Sequence, residues 1–403
     1  MSETSIRHYI VVTASYWGFT LTDGALRMLV LLHFNELGYS PFQIAFLFLL
    51  YELFGVVTNL LGGWIGTRLG LRITLLWGLL LQVASLLMLA QLDRGWSVAF
   101  SLAYVMAAQA LSGIAKDLTK MSSKSAIKLV VAADARSVLF RWVALLTGSK
   151  NALKGAGFFL GGVLLAWAGF ERSLYSMAIA LLLIFLVTMA LLPGEMGRAK
   201  KTVRFRHILS KNQQINLLSA ARFFLFGSRD IWFVVGLPLF LSATLGWSHP
   251  QVGAYLALWV IGYGAIQAAA PRLLRRGRLP QSNTALQWVV LLIVVPLIMV
   301  IAMHGTMPAK YVVLIGLAIY GVVFAINSAV HSYLIVVFAE RDSVSMDVGF
   351  YYMANAGGRL AGTLLSGVSY QMFGLEGCLW GSVLFLIAAA AFSRRLSAMS
   401  SER

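Results

Sequence analysis

The sequence predicts an all-α polytopic membrane protein with about 12 transmembrane helices in two parallel six-helix repeats. Three observations carry that expectation: a surplus of apolar residues over charge, apolar runs near 20 residues long, and a short motif that recurs in both halves. Of 403 residues, 59% are hydrophobic and only 12% are charged, where a soluble domain carries about 25% charged residues. Mean hydropathy is +0.81. A disordered chain has the opposite balance, and a soluble globular enzyme has too little polar surface to cover this much apolar material. The runs also exceed the roughly 10-residue alternating strands of a membrane barrel.

Taken in order, the apolar runs predict spans at 9–34, 41–66, 73–92 and 96–115, then, after a basic stretch, at 139–169 and 174–192. A basic linker follows, with Arg198, Lys200, Lys201, Arg204, Arg206 and His207 within ten residues. Beyond it the runs predict spans at 215–241, 251–270, 284–303, 311–338, 346–368 and 377–392. This divides the chain into an N-terminal half (1–195), a cytoplasmic linker (196–212) and a C-terminal half (213–403). The N-terminal residues lack the basic region, short apolar core and small-residue cleavage site of a secretory signal, so the first run is expected to be a retained span.

Charge placement sets the expected topology. With the N-terminus inside, the internal segments hold Arg68, Arg72, Lys124, Lys128, Arg136, the linker cluster, Arg272, Arg275, Arg276, Arg278, Arg341, Arg394 and Arg395. The external loops hold only Arg94, Arg172 and Lys310. That asymmetry predicts cytoplasmic termini at both ends. It also gives the net charge of +17 a membrane explanation, and no nucleic-acid partner is expected.

The recurring motif is Leu37-Gly38-Tyr39-Ser40-Pro41-Phe42-Gln43-Ile44, which returns as Leu245-Gly246-Trp247-Ser248-His249-Pro250-Gln251-Val252. Asp23 in the first span lies near the place of Asp230 in the seventh, and Gly157 and Gly161 resemble Gly358 and Gly362. Both copies run in the same direction. Two parallel six-helix halves around a basic linker are the plan of the major facilitator fold. Between the second and third spans, Gly63-Trp64-Ile65-Gly66-Thr67-Arg68-Leu69-Gly70-Leu71-Arg72 resembles that superfamily's loop signature, G-x-x-x-D-R-x-G-R-R. Gly63, Arg68, Gly70 and Arg72 match, whereas Thr67 stands in place of the acid and Leu71 in place of a basic residue. The resemblance implies a tight turn that latches one conformation, without the carboxylate. Gly157-Phe158-Phe159-Leu160-Gly161-Gly162 similarly resembles the G-P-x-x-G-G run of antiporters, with Phe158 at the proline position. Its plainer reading is close helix packing at glycine.

No phosphate loop of the type G-x-x-x-x-G-K-[ST] is present, so direct coupling to ATP is not expected. No H-E-x-x-H motif or histidine–carboxylate cluster suggests a metal, and one cysteine, Cys378, makes neither a disulfide nor a thiolate cage. Neither a cofactor nor an enzymatic activity is expected. The informative residues are charges inside apolar spans, each costing at least about 2.5–3.5 kcal/mol near mid-membrane and so expected to face a polar interior. The cations are Arg27, Lys150, Lys154, Arg222, Arg229 and Arg359, with Lys116 and Lys120 at the inner end of the fourth span. The acids are fewer: Asp23, Glu52, Asp117 and Asp230, with Asp23 four residues from Arg27 and able to pair with it. This surplus is what a multiply charged anionic substrate needs. Lys116, Lys120, Lys124 and Lys128 recur every four residues; the first two suit a cavity, the last two cytoplasmic solvent or anionic lipid headgroups. Asn151, Asn327, Tyr351 and Asn355 add neutral hydrogen-bonding groups, or else tie helices together. Most histidines are expected in loops or at the surface, with His331, within the tenth span, as the exception.

A more detailed resemblance runs through 16–30 (Tyr16-Trp17-Gly18-Phe19-Thr20-Leu21-Thr22-Asp23-Gly24-Ala25-Leu26-Arg27-Met28-Leu29-Val30), 107–118, 146–155 and 218–227. In these segments the chain resembles the ArsJ family of organoarsenical efflux permeases. The resemblance implies export of 1-arseno-3-phosphoglycerate across a bacterial inner membrane, giving arsenate resistance, with a glyceraldehyde-3-phosphate dehydrogenase as functional partner. That substrate carries an oxyanion at each end. Two cation groups, one around Lys116, Lys150 and Lys154 and one around Arg222, Arg229 and Arg359, offer two matching charges, and arginine supplies a bidentate fork. Trivalent arsenic instead prefers paired thiolates, which Cys378 cannot supply. Two alternatives stay open: an antiporter for another organic phosphate or a drug, and a non-transporting membrane sensor.

Overall fold

The computed structural model describes residues 3–93, 95–130, 136–193, 212–274, 280–338 and 344–401. Among these every regular element is helical: α1 (Glu3–Glu36), α2 (Pro41–Leu47), α3 (Leu49–Leu69), α4 (Leu71–Ala90), α5 (Val98–Val130), α6 (Arg136–Leu191), α7 (Gln213–Phe233), α8 (Gly236–Leu239), α9 (His249–Leu274), α10 (Ser282–Met303), α11 (Ala309–Phe338) and α12 (Val344–Ser401). Nine described segments are long and apolar enough to cross a membrane. The two longest, within α6 and α12, are each two spans joined without a loop. The joints are Gly169 (φ 75°) and Gly374 (φ 63°), a backbone state open to glycine and strained for any residue with a Cβ. These, with α1, give the polytopic all-helical architecture expected from the sequence. Large apolar side chains such as Trp167, Leu258, Ile301 and Phe373 point outward, as surfaces meant for lipid do.

Local chemistry explains where the observed helices depart from the expected runs. The second span is divided at Phe48, between α2 and α3. Ser40 caps α2: its hydroxyl accepts from Gln43 N–H at 3.3 Å while Gln43 Oε1 accepts from Ser40 N–H at 2.8 Å. Pro41 opens the helix, where its missing N–H costs nothing. The fourth span runs on through the basic stretch to Val130, because that stretch holds four helix-forming Lys with Leu and Met and no Gly or Pro. The seventh breaks after Phe233, resumes as α8 and ends in a π-helical turn (Phe240–Thr244). Pro238 cannot donate to Val234, which ends the continuous ladder. Ser366 Oγ accepts from the freed N–H groups of Val235 and Gly236, at 3.2 and 3.0 Å.

Contacts group the chain into two compact units. The first holds Met1–His33, Leu50–Arg206 and His249–Val260; the second holds Phe34–Leu49, His207–Ser248 and Ile261–Arg403. In the first, α1 and α6 cross at glycine: a Cβ on Gly157 would lie 2.5 Å from Leu21 O, and one on Gly161 would strike Ala25 O. In the second, α7 and α12 cross the same way, Gly358 against Phe223 O and Gly362 against Gly227 O. The glycine pairs singled out by sequence are therefore packing residues in both units. Their contacts also set the register of the repeat. Leu21 corresponds to Phe223 and Ala25 to Gly227, so Arg27 corresponds to Arg229. Sequence placed Asp23 only near the position of Asp230; in this register Asp230 occupies the position of Met28. The break and π turn after α7 lengthen the seventh span before its Leu-Gly turn, which displaces any register counted from that turn.

Candidate functional site

In the first unit, charge gathers on α1, α3 and α5. Asp23 and Arg27 are close enough along α1 to pair, yet each takes a partner from α3. Arg27 Nη2 donates to Glu52 Oε1 at 3.1 Å, with Glu52 1% exposed. Tyr51 donates its hydroxyl to Asp23 Oδ1 at 2.7 Å. The Tyr51 ring also carries Lys116 Nζ 4.0 Å from its centroid, with the Arg27 guanidinium at 5.5 Å. One turn further, Asp117 accepts from Lys120 at 2.8 Å and from Thr58 at 3.2 Å. Lys120 also donates to Asn59 Oδ1 at 2.6 Å. Gly55 makes room for this group, since a Cβ there would lie 3.2 Å from Lys116 Nζ.

Lys150 and Lys154 are half-buried on α6 in the same unit. Lys154 Nζ lies 5.8 Å from the Phe158 ring, and its carbonyl faces Gly24 of α1. Beside them Trp17 donates to Ser149 Oγ at 3.0 Å. Asn151 is half-buried on the same helix.

The second unit holds two separate arrangements. Asp230, fully buried, is shared by two arginines. Arg229 donates to its Oδ1 through Nε at 2.7 Å and again through Nη2, and Arg359 Nε donates to Oδ2 at 3.2 Å. Arg222 is different. It is 4% exposed, yet among the described residues it meets only neutral partners. Its Nε donates to Asn355 Oδ1 at 2.9 Å, and its Nη1 to Ser328 Oγ and O at 3.1 and 3.3 Å. The guanidinium stacks on Phe226 at 3.8 Å, with Tyr351 at 5.2 Å. Tyr263 and Gln267 of α9 also reach Ser328 Oγ, at 3.2 and 3.3 Å.

Most site residues expected from sequence thus fall into four local groups: Arg27, Glu52, Asp23 and Lys116 around Tyr51; Asp117 with Lys120; Arg229, Asp230 and Arg359; and Arg222 with Asn355 and Tyr351, while Lys150 and Lys154 lie apart from these on α6. Asn327 lies fully buried on α11 beside Ser328. Sequence reasoning missed Tyr51, Ser328, Tyr263 and Gln267. Tyr51 directly precedes Glu52, and Ser328 lies in the polar Asn327-Ser328 pair of an otherwise apolar run, so weak signals existed for both. In the loop after α3, Gly70 takes φ 82° and caps α4, and Arg72 donates to Met189 O at 2.9 Å. Gly63 and the Arg68 side chain lie outside the described residues, as do the side chains of Lys124 and Lys128 and the linker over 194–211. No group of three or more His, Cys, Asp or Glu side chains able to hold a metal occurs among the described residues.

A bundle of apolar spans with charge buried among its helices defines a membrane transporter. The family model of the major facilitator superfamily matches residues 9–363. The chain belongs to that superfamily, and it is a multi-pass secondary transporter. The sequence matches no curated protein. By structure it is similar to a bacterial homologue of the iron transporter ferroportin in an inward-facing state (TM-score 0.72, 16% identity, covering 98% of this chain and 100% of the other). It is also similar to a D-xylose–proton symporter (TM-score 0.71, 14% identity, covering 96% of each). At such identities these likenesses establish the fold.

Proposed function

We propose that this transporter exports a small, multiply charged organic oxyanion, and that the anion is 1-arseno-3-phosphoglycerate. The observation that carries the reading is Arg222: a buried guanidinium held by neutral groups, which costs free energy unless an anion completes it. The resemblance of the sequence to organoarsenical efflux permeases supports the particular substrate. Each unit carries its own buried cations, and the substrate has one oxyanion at each end. The functional partner is a glyceraldehyde-3-phosphate dehydrogenase that makes the unstable acyl arsenate, and the membrane is the bacterial inner membrane with both termini cytoplasmic. A cationic drug is disfavoured because Asp23, Glu52, Asp117 and Asp230 each already have a hydrogen-bonding or ionic partner.

An inside-negative potential drives anions outward by about 2.3 kcal/mol per charge per 100 mV. Export of about three charges thus gains roughly 7 kcal/mol at 100 mV without proton exchange. The test is efflux of labelled arsenophosphoglycerate in everted vesicles, with simple phosphate esters as competitors. Accumulation that falls when the potential is collapsed supports the reading. Transport of phosphate esters with no uptake of the arseno compound assigns another organic phosphate instead.

A further inference from the structure

Around Ser328, three hydrogen-bond donors converge on one oxygen. Arg222 Nη1, the Tyr263 hydroxyl and Gln267 Nε2 all reach one serine oxygen, at 3.1, 3.2 and 3.3 Å. A hydroxyl has two lone pairs and one proton, so it cannot satisfy three donors well. On the same helix Asn327 is fully buried, and among the described residues neither its Nδ2 nor its Oδ1 finds a hydrogen-bond partner. His331, one turn on and 1% exposed, has no partner at Nδ1 among the described residues and lies within the electrostatic reach of Arg222. A buried amide without partners costs free energy for each group left unsatisfied. Asn355, the remaining polar neighbour of Arg222, has its oxygen engaged by Nε. Among the described residues no carboxylate pairs with Arg222.

Counting from the helix starts, Val98 of α5 and Ala309 of α11, Asn327 stands where Lys116 stands, Ser328 where Asp117 stands, and His331 where Lys120 stands. The repeat has replaced a lysine–aspartate–lysine group by neutral donors around one arginine. The first version pairs Lys120 with Asp117; the second has no such carboxylate among the described residues and takes negative charge from outside.

We infer that the second unit contains a tetrahedral-oxyanion subsite centred on Ser328, in which Arg222, Tyr263 and Gln267 bind the phosphate of a phosphate monoester. The Arg222 fork supplies the charge, and donors from α7 and α9 converge on one point of α11, which suits the several oxygens of a tetrahedral oxyanion. The Asp230 group is not part of it, since there one carboxylate already serves two arginines. This assignment rests on the anion-export reading and deepens it by naming the end of the substrate that this unit holds.

The test is calorimetric titration of the purified full chain with inorganic phosphate, 3-phosphoglycerate and glycerate. Both phosphates are expected to bind, whereas glycerate, which keeps only the carboxylate, does not. Ser328→Ala and Gln267→Leu should each weaken phosphate binding by roughly tenfold, and Arg222→Lys, which keeps charge but loses the fork, by more. Circular dichroism checks that each variant is folded; because Gln267 is only half-buried, its variant keeps the test open if a buried one misfolds. Phosphate binding that is absent in the wild type, or unchanged in folded Ser328→Ala and Gln267→Leu, overturns the subsite. Loss of phosphate binding in the variants, with no arsenophosphoglycerate export by the wild type, keeps the subsite and removes the substrate. Export by a wild type whose phosphate binding ignores these residues does the reverse.

Discussion

The two units meet buried positive charge in different ways. Around Tyr51 the cations share their surroundings with carboxylates: Arg27 with Glu52, Lys120 with Asp117, and Lys116 on a ring whose hydroxyl holds Asp23. Around Ser328 a single arginine is surrounded by amides, hydroxyls and rings. The helices that frame the two groups cross on matching glycines, so the difference lies in side chains presented by a repeated scaffold. A closed ion-pair group gives structural cohesion and can open only by breaking pairs. An arginine without a carboxylate gives little cohesion and, on the proposed reading, is left for an anion.

The sharpest way to break this comparison is to remove a carboxylate from the first unit. Glu52→Leu strands Arg27 in a nearly dry site, and the expected loss is about 3–5 kcal/mol of stability. Removing both charges with Arg27→Met and Glu52→Leu together should recover most of it. Thermal unfolding of the purified variants checks both. A single variant as stable as the wild type would mean that Glu52 does not hold Arg27 in place.

Asp230→Asn comes next. The side chain keeps its shape and one acceptor oxygen but loses the charge shared by Arg229 and Arg359. Charge-assisted hydrogen bonds contribute about 1.5–3 kcal/mol each, so a loss within that range is expected, again read from unfolding temperature. The same measurement on Ser328→Ala should show a much smaller change. Equal losses would erase the distinction between a structural and a ligand-awaiting arginine.

Sequence revealed the architecture well because span length, charge scarcity and loop charge are properties of composition along the chain. It also identified Gly157, Gly161, Gly358 and Gly362 by their spacing. Partner choice was less legible. The i, i+4 relation of Asp23 and Arg27 is a fact about one helix, whereas Glu52 and Tyr51 approach from another, and tertiary geometry decides between them. The register of the repeat was legible only approximately for a related reason: the break at Pro238 and the π turn add residues that no local pattern reveals. Tyr263 and Gln267 stayed hidden because single polar residues on an apolar helix carry no signal until a neighbouring helix brings Ser328 beside them.

The third prediction tests the scaffold that the units share. Gly157→Ala and Gly358→Ala each place a Cβ against a backbone carbonyl, Leu21 O at 2.5 Å in the first case and Phe223 O in the second. Backbone cannot swing aside as a side chain does, so α1 and α6, or α7 and α12, must separate. Overpacking of this kind costs about 1–3 kcal/mol. Because the crossings match, the two variants should lose stability by similar amounts, measured in one detergent by thermal unfolding. A large effect at one crossing and none at the other would mean that only one unit depends on close approach.

The smallest effect expected concerns the rings beneath the cations. Lys116 lies 4.0 Å from the Tyr51 ring and Arg222 lies 3.8 Å from that of Phe226. A ring face attracts a cation by about 0.5–1 kcal/mol where water competes, and by about 2 kcal/mol where it does not. Phe226→Leu keeps apolar volume but removes the face on which the guanidinium rests. Arg222 still has Asn355 and Ser328, so its fork should stay roughly in place, and the loss should appear as looser aim. The expected outcome is a twofold to about thirtyfold rise in the apparent KM for export, with the maximal rate little changed, because about 1.4 kcal/mol corresponds to a factor of ten. Phe226→Tyr retains the face and should stay near the wild type. If Phe226→Leu instead abolished export as completely as loss of Arg222, the ring would be organising the whole site, and the view of Arg222 as held mainly by its hydrogen bonds would fall.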